Sequence, residues 1–219
     1  MGSGIFNLKH PTFARIQKFL IIFLCAVFTS TSFAATEVQA PFGFKWDQKV
    51  SDLRAKGFDS TCSDATDLPI RICKFSASPK KFSKADFFQG FFVPGEGLQK
   101  VTMLGKDITD DPYGSDGKAQ YEALKTSLTK KYGAPTNTYE WEATELYKDS
   151  DEFYECLNYQ SCGNHTVYWI EGMDGTITLK IKGVSRGKGY IQLIYESPRW
   201  SDLLDQLRDQ ETAGDDDSL

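Results

Sequence analysis

Apolar residues are distributed unevenly along the chain. The one unbroken apolar run, Phe19 to Phe28, follows Lys9, Arg15 and Lys18 and leads into Thr29 to Ala34. A basic stretch, a short apolar run and the small-x-small site Ser32-Phe33-Ala34 make the pattern of a secretory signal, and they predict cleavage between Ala34 and Ala35. The run holds about ten residues, whereas crossing a bilayer core takes about 20. Residues 1–34 are therefore expected to be a cleaved signal peptide. The remainder is expected to be periplasmic or secreted, with no membrane span.

Beyond the signal, the apolar positions become periodic. Tyr121, Leu124, Leu128 and Tyr132 recur at spacings of three and four and predict a helix from about Gly117 to Tyr132. Ser115 or Asp116 is placed to cap its start, Lys130 and Lys131 suit its negative end, and Gly133 with Pro135 stops it. A shorter helix is predicted from Val50 to Lys56, closed by Gly57 in the left-handed position. A last one is predicted from Pro198 to about Arg208, with Trp200, Leu203, Leu204 and Leu207 on one side, followed by an acidic disordered tail over 211–219.

Strand patterns fill the intervals. Ile177, Leu179 and Ile181 alternate with Thr178, Lys180 and Lys182, which predicts a strand wet on one face. Further strands are expected at Phe42–Trp46, Phe58–Cys62, Ile70–Phe75, Thr166–Glu171 and Tyr190–Tyr195. Ala85–Val93 and Leu98–Leu104 flank Pro94-Gly95-Glu96-Gly97, a hairpin pattern in which proline presets one dihedral and glycine takes the positive one. Phe87, Phe88, Phe91 and Phe92 place phenylalanine on both faces of one strand, which predicts cover on both sides. The order implies a single α+β domain over 35–210: an antiparallel sheet with helices on one face, in two loosely repeated helix-then-strands units.

Composition sharpens this picture. Of 219 residues, 40% are hydrophobic and 25% charged, which is ordinary globular usage. Loss of the signal removes three basic residues and no acid, leaving 22 basic against 30 acidic side chains and a net charge of −8. That balance argues against nucleic acid or an anionic membrane surface and toward a protein partner with a basic surface. Cys25 leaves with the signal, so Cys62, Cys73, Cys156 and Cys162 remain, an even number that favours disulfides in an oxidising compartment. Three connectivities are open, and spacing favours Cys62 with Cys73 and Cys156 with Cys162. A zinc site needs clustered thiolates with histidine, and His165 is the one histidine left after cleavage. No cofactor is expected.

A resemblance rests on Phe42-Gly-Phe-Lys-Trp46 with Val50 and Leu53, on Tyr113-Gly114 before the long helix, and on Lys131-Tyr132-Gly133-Ala134-Pro135 at its end. With the closing Leu193-Ile-Tyr195-Glu, these are similar to a group of small secreted bacterial proteins. That group has an F-G-x-x-W-x-x-x-V opening and an L-x-x-K-Y-G-x-P helix end. Asp47 departs from the group, where glycine is commoner. The motifs are glycine and aromatic punctuation, so the resemblance implies export and this fold, and no activity. A looser likeness is to helix-plus-meander modules such as the beta-lactamase-inhibitor-like and SmpA/OmlA-like proteins, which bind other proteins.

Catalytic motifs are scarce. There is no Gly-x-Ser-x-Gly elbow, no phosphate loop and no dinucleotide fingerprint, and paired cysteines are not thiolates. Asp107, Asp110, Asp111 and Asp116 cluster before the long helix, and Asp149, Asp151, Glu152 and Glu155 before Cys156, but the first group lacks calcium-loop spacing. Asp116 reads as a cap, and the second group as a solvated loop. The segment Phe153 to Cys162 differs, being polar, tyrosine-bearing and closed by a short staple. Rigid loops carrying tyrosine and asparagine suit recognition. Tyr154, Asn158, Tyr159 and His165 are the candidate binding residues, with Trp141 as a flanking platform. The sequence thus points to an exported, non-catalytic protein-binding module of the inhibitor or immunity kind. The alternative is a secreted hydrolase with a carboxylate site outside the known motifs.

Overall fold

The strand patterns assemble into one sheet. The computed structural model describes residues 36–142, 145–170 and 173–216. The expected signal peptide and the last three residues of the expected tail lie outside them. In chain order the elements are β1 (Thr36–Glu37), α1 (Val50–Ala55), β2 (Ser60–Asp64), β3 (Arg71–Phe75), β4 (Ala85–Val93) and β5 (Gly97–Gly105), then α2 (Ser115–Tyr132), β6 (Asn137–Trp141) and α3 (Phe153–Asn158). They continue with β7 (Asn164–Trp169), β8 (Met173–Asp174), β9 (Thr176–Ser185), β10 (Lys188–Glu196) and α4 (Trp200–Asp216). Eight strands form an antiparallel sheet in the order β2-β3-β4-β5-β10-β9-β7-β6, and β1 with β8 makes a separate two-stranded pair. The fold is α+β. Among the described residues, no helix is long and apolar enough to cross a membrane.

Alternation along the strands gives the sheet an inner and an outer face. Inner residues such as Phe75, Met103, Leu179 and Leu193 form the main core with Leu53 of α1, Tyr121 and Leu128 of α2, and Phe153 and Tyr154 of α3. The helices do not all share that face. Trp200 and Leu203 of α4 bury Ile70 and Val93, with Phe91 packed alongside, and the Phe91 and Trp200 rings lie 6.1 Å apart. Phe88 and Phe92 point into the main core while Phe91 joins the second cluster, so this strand needs cover on both sides, and α4 supplies it at one corner.

Other departures from the pattern have local causes. Phe42–Trp46 is not a strand. Pro41–Gly43 forms a 3-10 turn with Phe42 at φ 55°, and the Phe42 ring is drawn against Phe82 and Phe88 at 5.1 and 5.0 Å. Asp47 has φ 62°, in the left-handed region that glycine enters without steric cost. Its amide donates to the Leu98 carbonyl at 3.0 Å, and the Leu98 amide to that of Gln48 at 3.0 Å. A Cβ at Gly97 would collide with the Asp47 backbone. Beside this contact the buried Gln99 amide donates to Asp47 Oδ1 at 2.6 Å and to the Glu96 carbonyl at 2.8 Å, and its oxygen accepts from Ser197 Oγ at 2.5 Å.

The cap of α2 is neither Ser115 nor Asp116. Gly114, at φ 71°, turns the chain, so that Asp111 Oδ2 accepts from the Asp116 and Gly117 amides at 3.0 and 3.1 Å. The acceptor comes from outside the helix and satisfies two of its unpaired N–H groups. At the other end of the chain, α4 runs to Asp216 rather than stopping near Arg208. Residues 211–216 are therefore helical where a disordered tail was expected. Glu211 and Ala213 are good helix formers and are exposed, so no packing is needed to recruit them.

Candidate functional site

Both cysteine pairs form disulfides. Cys62 and Cys73 face each other across β2 and β3, with Cα atoms 4.0 Å apart. Cys156, inside α3, is bonded to Cys162 just before β7, with Cα atoms 5.0 Å apart. What looked like one stapled loop is a short helix followed by a tight return, because Phe153, Tyr154 and Cys156 all turn into the core.

That return separates the candidate residues. Tyr154 is fully buried, at 0% exposure, and its hydroxyl donates to Asp111 Oδ2 at 2.8 Å. Burial and the Asp111 carboxylate both hold its hydroxyl protonated. It is a keystone between α3 and the start of α2, and it offers nothing to a partner. Gly183 and Gly189 make room for it, since a Cβ at the first would strike the Tyr154 carbonyl and at the second its ring.

His165 is also drawn inward. Its ring packs between Tyr121 and Phe153 at centroid distances of 5.8 and 5.3 Å. Desolvation lowers its pKa below the ordinary value, Lys118 adding to this while Glu142, Glu140 and Glu122 oppose it. Its Nδ1 is buried with no hydrogen-bond partner among the described residues. Neighbouring Glu140 is engaged by the Tyr121 hydroxyl at 2.9 Å and Lys125 Nζ at 2.5 Å, which fastens β6 to α2.

The remaining three stay at the surface, where Tyr159 shares one groove with Trp141 and another with Asn158. Tyr159 and Trp141 are 54% and 45% exposed, and the exposed Asn158 amide donates to the Val184 carbonyl at 3.2 Å. Tyr159 leans edge-on against Tyr147 at 5.9 Å. Two grooves meet at Tyr159. One, of about 360 Å³, is lined by Trp141, Glu142, Glu145, Leu146, Tyr159 and Cys162. The other, of about 390 Å³, opens beside Asn158, Asn164, Tyr168, Lys180 and Lys182, with His165 at its margin. The first is acidic and aromatic, the second basic and polar. A larger hollow of about 500 Å³, with Phe82, Phe88, Lys81 and Lys106 on its walls, receives none of the candidate residues.

Three members of the acidic clusters are engaged locally, whereas Glu155 Oε2 is buried with no hydrogen-bond partner among the described residues. Asp111 is the cap, Asp151 pairs with Arg186, and Glu152 Oε2 accepts from the Asp149 amide at 3.2 Å. Among the described residues, no three His, Cys, Asp or Glu side chains are placed to hold a metal ion. The sequence reading missed Leu146, Lys180, Lys182 and Tyr168. The alternation in β9 had already set both lysines on its wet face, but only the strand order shows that Tyr168 and the stapled return lie beside them. No family model, curated protein or solved structure matches the chain.

Proposed function

We propose that the protein is an exported, non-catalytic protein-binding module of the inhibitor or immunity kind. Its contact surface is the stapled return after α3 with the acidic, aromatic groove next to it. One observation carries this reading: Trp141 on β6 and Tyr159 just after α3, two exposed aromatics, wall the same groove together with Cys162 of the Cys156–Cys162 disulfide. Rigidly held tyrosine and tryptophan are the residues that dominate binding energy when a partner covers them. Glu142 and Glu145 in that groove, with the charge of −8 left after signal removal, suit a basic patch on the partner and association slowed by added salt. The chain order supports reading the domain as two units, α1 with β2–β5 and α2 with the other sheet strands, joined where β5 meets β10.

The test is recovery of a stoichiometric protein partner from periplasmic extract, then affinity measurement with Trp141→Ala/Tyr159→Ala. Loss of about 2 kcal/mol or more per anchor is expected in a protein that stays folded. Unchanged affinity would remove this surface from the reading. Turnover of cell-wall or glycan substrates without a partner would support the hydrolase alternative, for which Glu142 and Glu145 are the groove's carboxylates.

A further inference from the structure

The outer face of the sheet carries charge of the opposite sign to the molecule. Cross-strand register places Phe87, Leu104, Gln192, Lys180, Thr166 and Tyr139 in one row over six strands. The adjacent row runs from Lys74 through Gln89, Thr102, Ile194 and Thr178 to Tyr168. Neither row contains a carboxylate. Lys182 follows two residues beyond Lys180 on the same face, about 7 Å along the strand, and neither lysine forms an ion pair among the described residues. Where acid does reach this face it is already matched: Glu196 binds Lys100 at 2.8 Å. Lys180 is half-buried, and its pKa is lowered by desolvation and by repulsion from Lys182 and Lys100, with Glu196 opposing. Around Lys180 the face gathers three lysines against one carboxylate, Glu196, which is itself held by Lys100.

We propose that this lysine face, where it opens into the groove beside Tyr168 and Asn158, docks a short acidic segment of a protein partner. The proposal rests on the protein-binding reading above and specifies the partner further: an acidic segment must lie next to its basic patch, the two straddling Tyr159. A short segment is favoured because charges interact only within a Debye length, about 8–10 Å in physiological salt. Such a segment feels the local lysines, whereas a long polyanion or an anionic bilayer also meets the repulsion of a chain whose 22 basic and 30 acidic side chains after signal removal leave a net charge of −8. Each lysine near an anionic membrane contributes about 1 kcal/mol, so Lys74, Lys180 and Lys182 together fall short of stable membrane attachment.

The experiment titrates the mature, disulfide-bonded protein with a short oligoglutamate peptide and follows it by NMR. Polygalacturonate and anionic phospholipid vesicles are run in parallel. Oligoglutamate is expected to shift signals at Lys180, Lys182 and Tyr168, and Lys180→Glu/Lys182→Glu to weaken it about tenfold or more. Glu142→Lys/Glu145→Lys and Trp141→Ala should not weaken oligoglutamate binding, which separates this outcome from failure of the groove reading. If the charge reversal does not fold, Lys180→Gln/Lys182→Gln replaces it. No saturable binding, binding insensitive to both lysine variants, shifts centred on the Lys81 and Lys106 hollow, or equal affinity for polygalacturonate or vesicles would each overturn the proposal.

Discussion

Tyr154→Phe isolates one hydroxyl in the core and should act on stability alone. That hydroxyl donates to Asp111 Oδ2 at 2.8 Å inside a site where both residues are buried. A hydrogen bond to a charged acceptor contributes about 1.5–3 kcal/mol. Asp111 keeps two backbone donors, the Asp116 and Gly117 amides at 3.0 and 3.1 Å, so it is not left bare. The loss should therefore be about 2 kcal/mol. For a domain of this size 1 kcal/mol moves Tm by about 2–4 °C, giving a fall of about 4–8 °C. Truncation to alanine would also open a cavity and cost about 3–5 kcal/mol, too much for a clean binding experiment. Calorimetry of the disulfide-bonded protein reads the shift, and oligoglutamate affinity measured in parallel should be unchanged. An unaltered Tm, or lost binding at unaltered Tm, would refute the assignment of Tyr154 to the core.

Leu128→Asp should destabilise by several kcal/mol and Leu124→Asp by less, because Leu128 is buried and Leu124 only half-buried on the same stripe. Substitution at exposed Asp209 should stay within about 0.5 kcal/mol, and urea unfolding ranks the three. His165 has a folded pKa below its ordinary 6.5, so the unfolded chain takes up the proton first as pH falls. Stability should decline below about pH 6.5, and His165→Gln should remove that part of the decline in a pH series of melts. Intact mass of the exported form should show a start near Ala35 and the loss of hydrogens for two disulfides. Removing either disulfide should cost about 2–3 kcal/mol, and a peptide linking Cys62 to Cys156 would contradict the pairing.

Much of this molecule was readable one segment at a time. The stripe of α2, the stop at Gly57, the Pro-Gly hairpin and the alternation of β9 are decided by side chains within a few residues of one another. Local periodicity and turn chemistry report them directly. The two short disulfides were legible for the same reason, since close spacing and an even count leave little choice. Three parts were hidden. All five residues of β6 are exposed, so an edge strand that buries nothing shows no alternation, and the six residues of α3 are too few to display a helical period. The fate of the candidate residues was hidden most deeply. Tyr154 and Tyr159 are five positions apart with similar chemistry, yet one is sealed against Asp111 and the other stands between two grooves. What separates them is a carboxylate 43 residues upstream and glycines on β9 and β10 that let α3 sit close. The unmatched lysines of the outer face were named by alternation as wet. That they stand beside two cross-strand rows without a carboxylate follows from which strands pair and in what register, a relation between distant segments that only the folded chain sets.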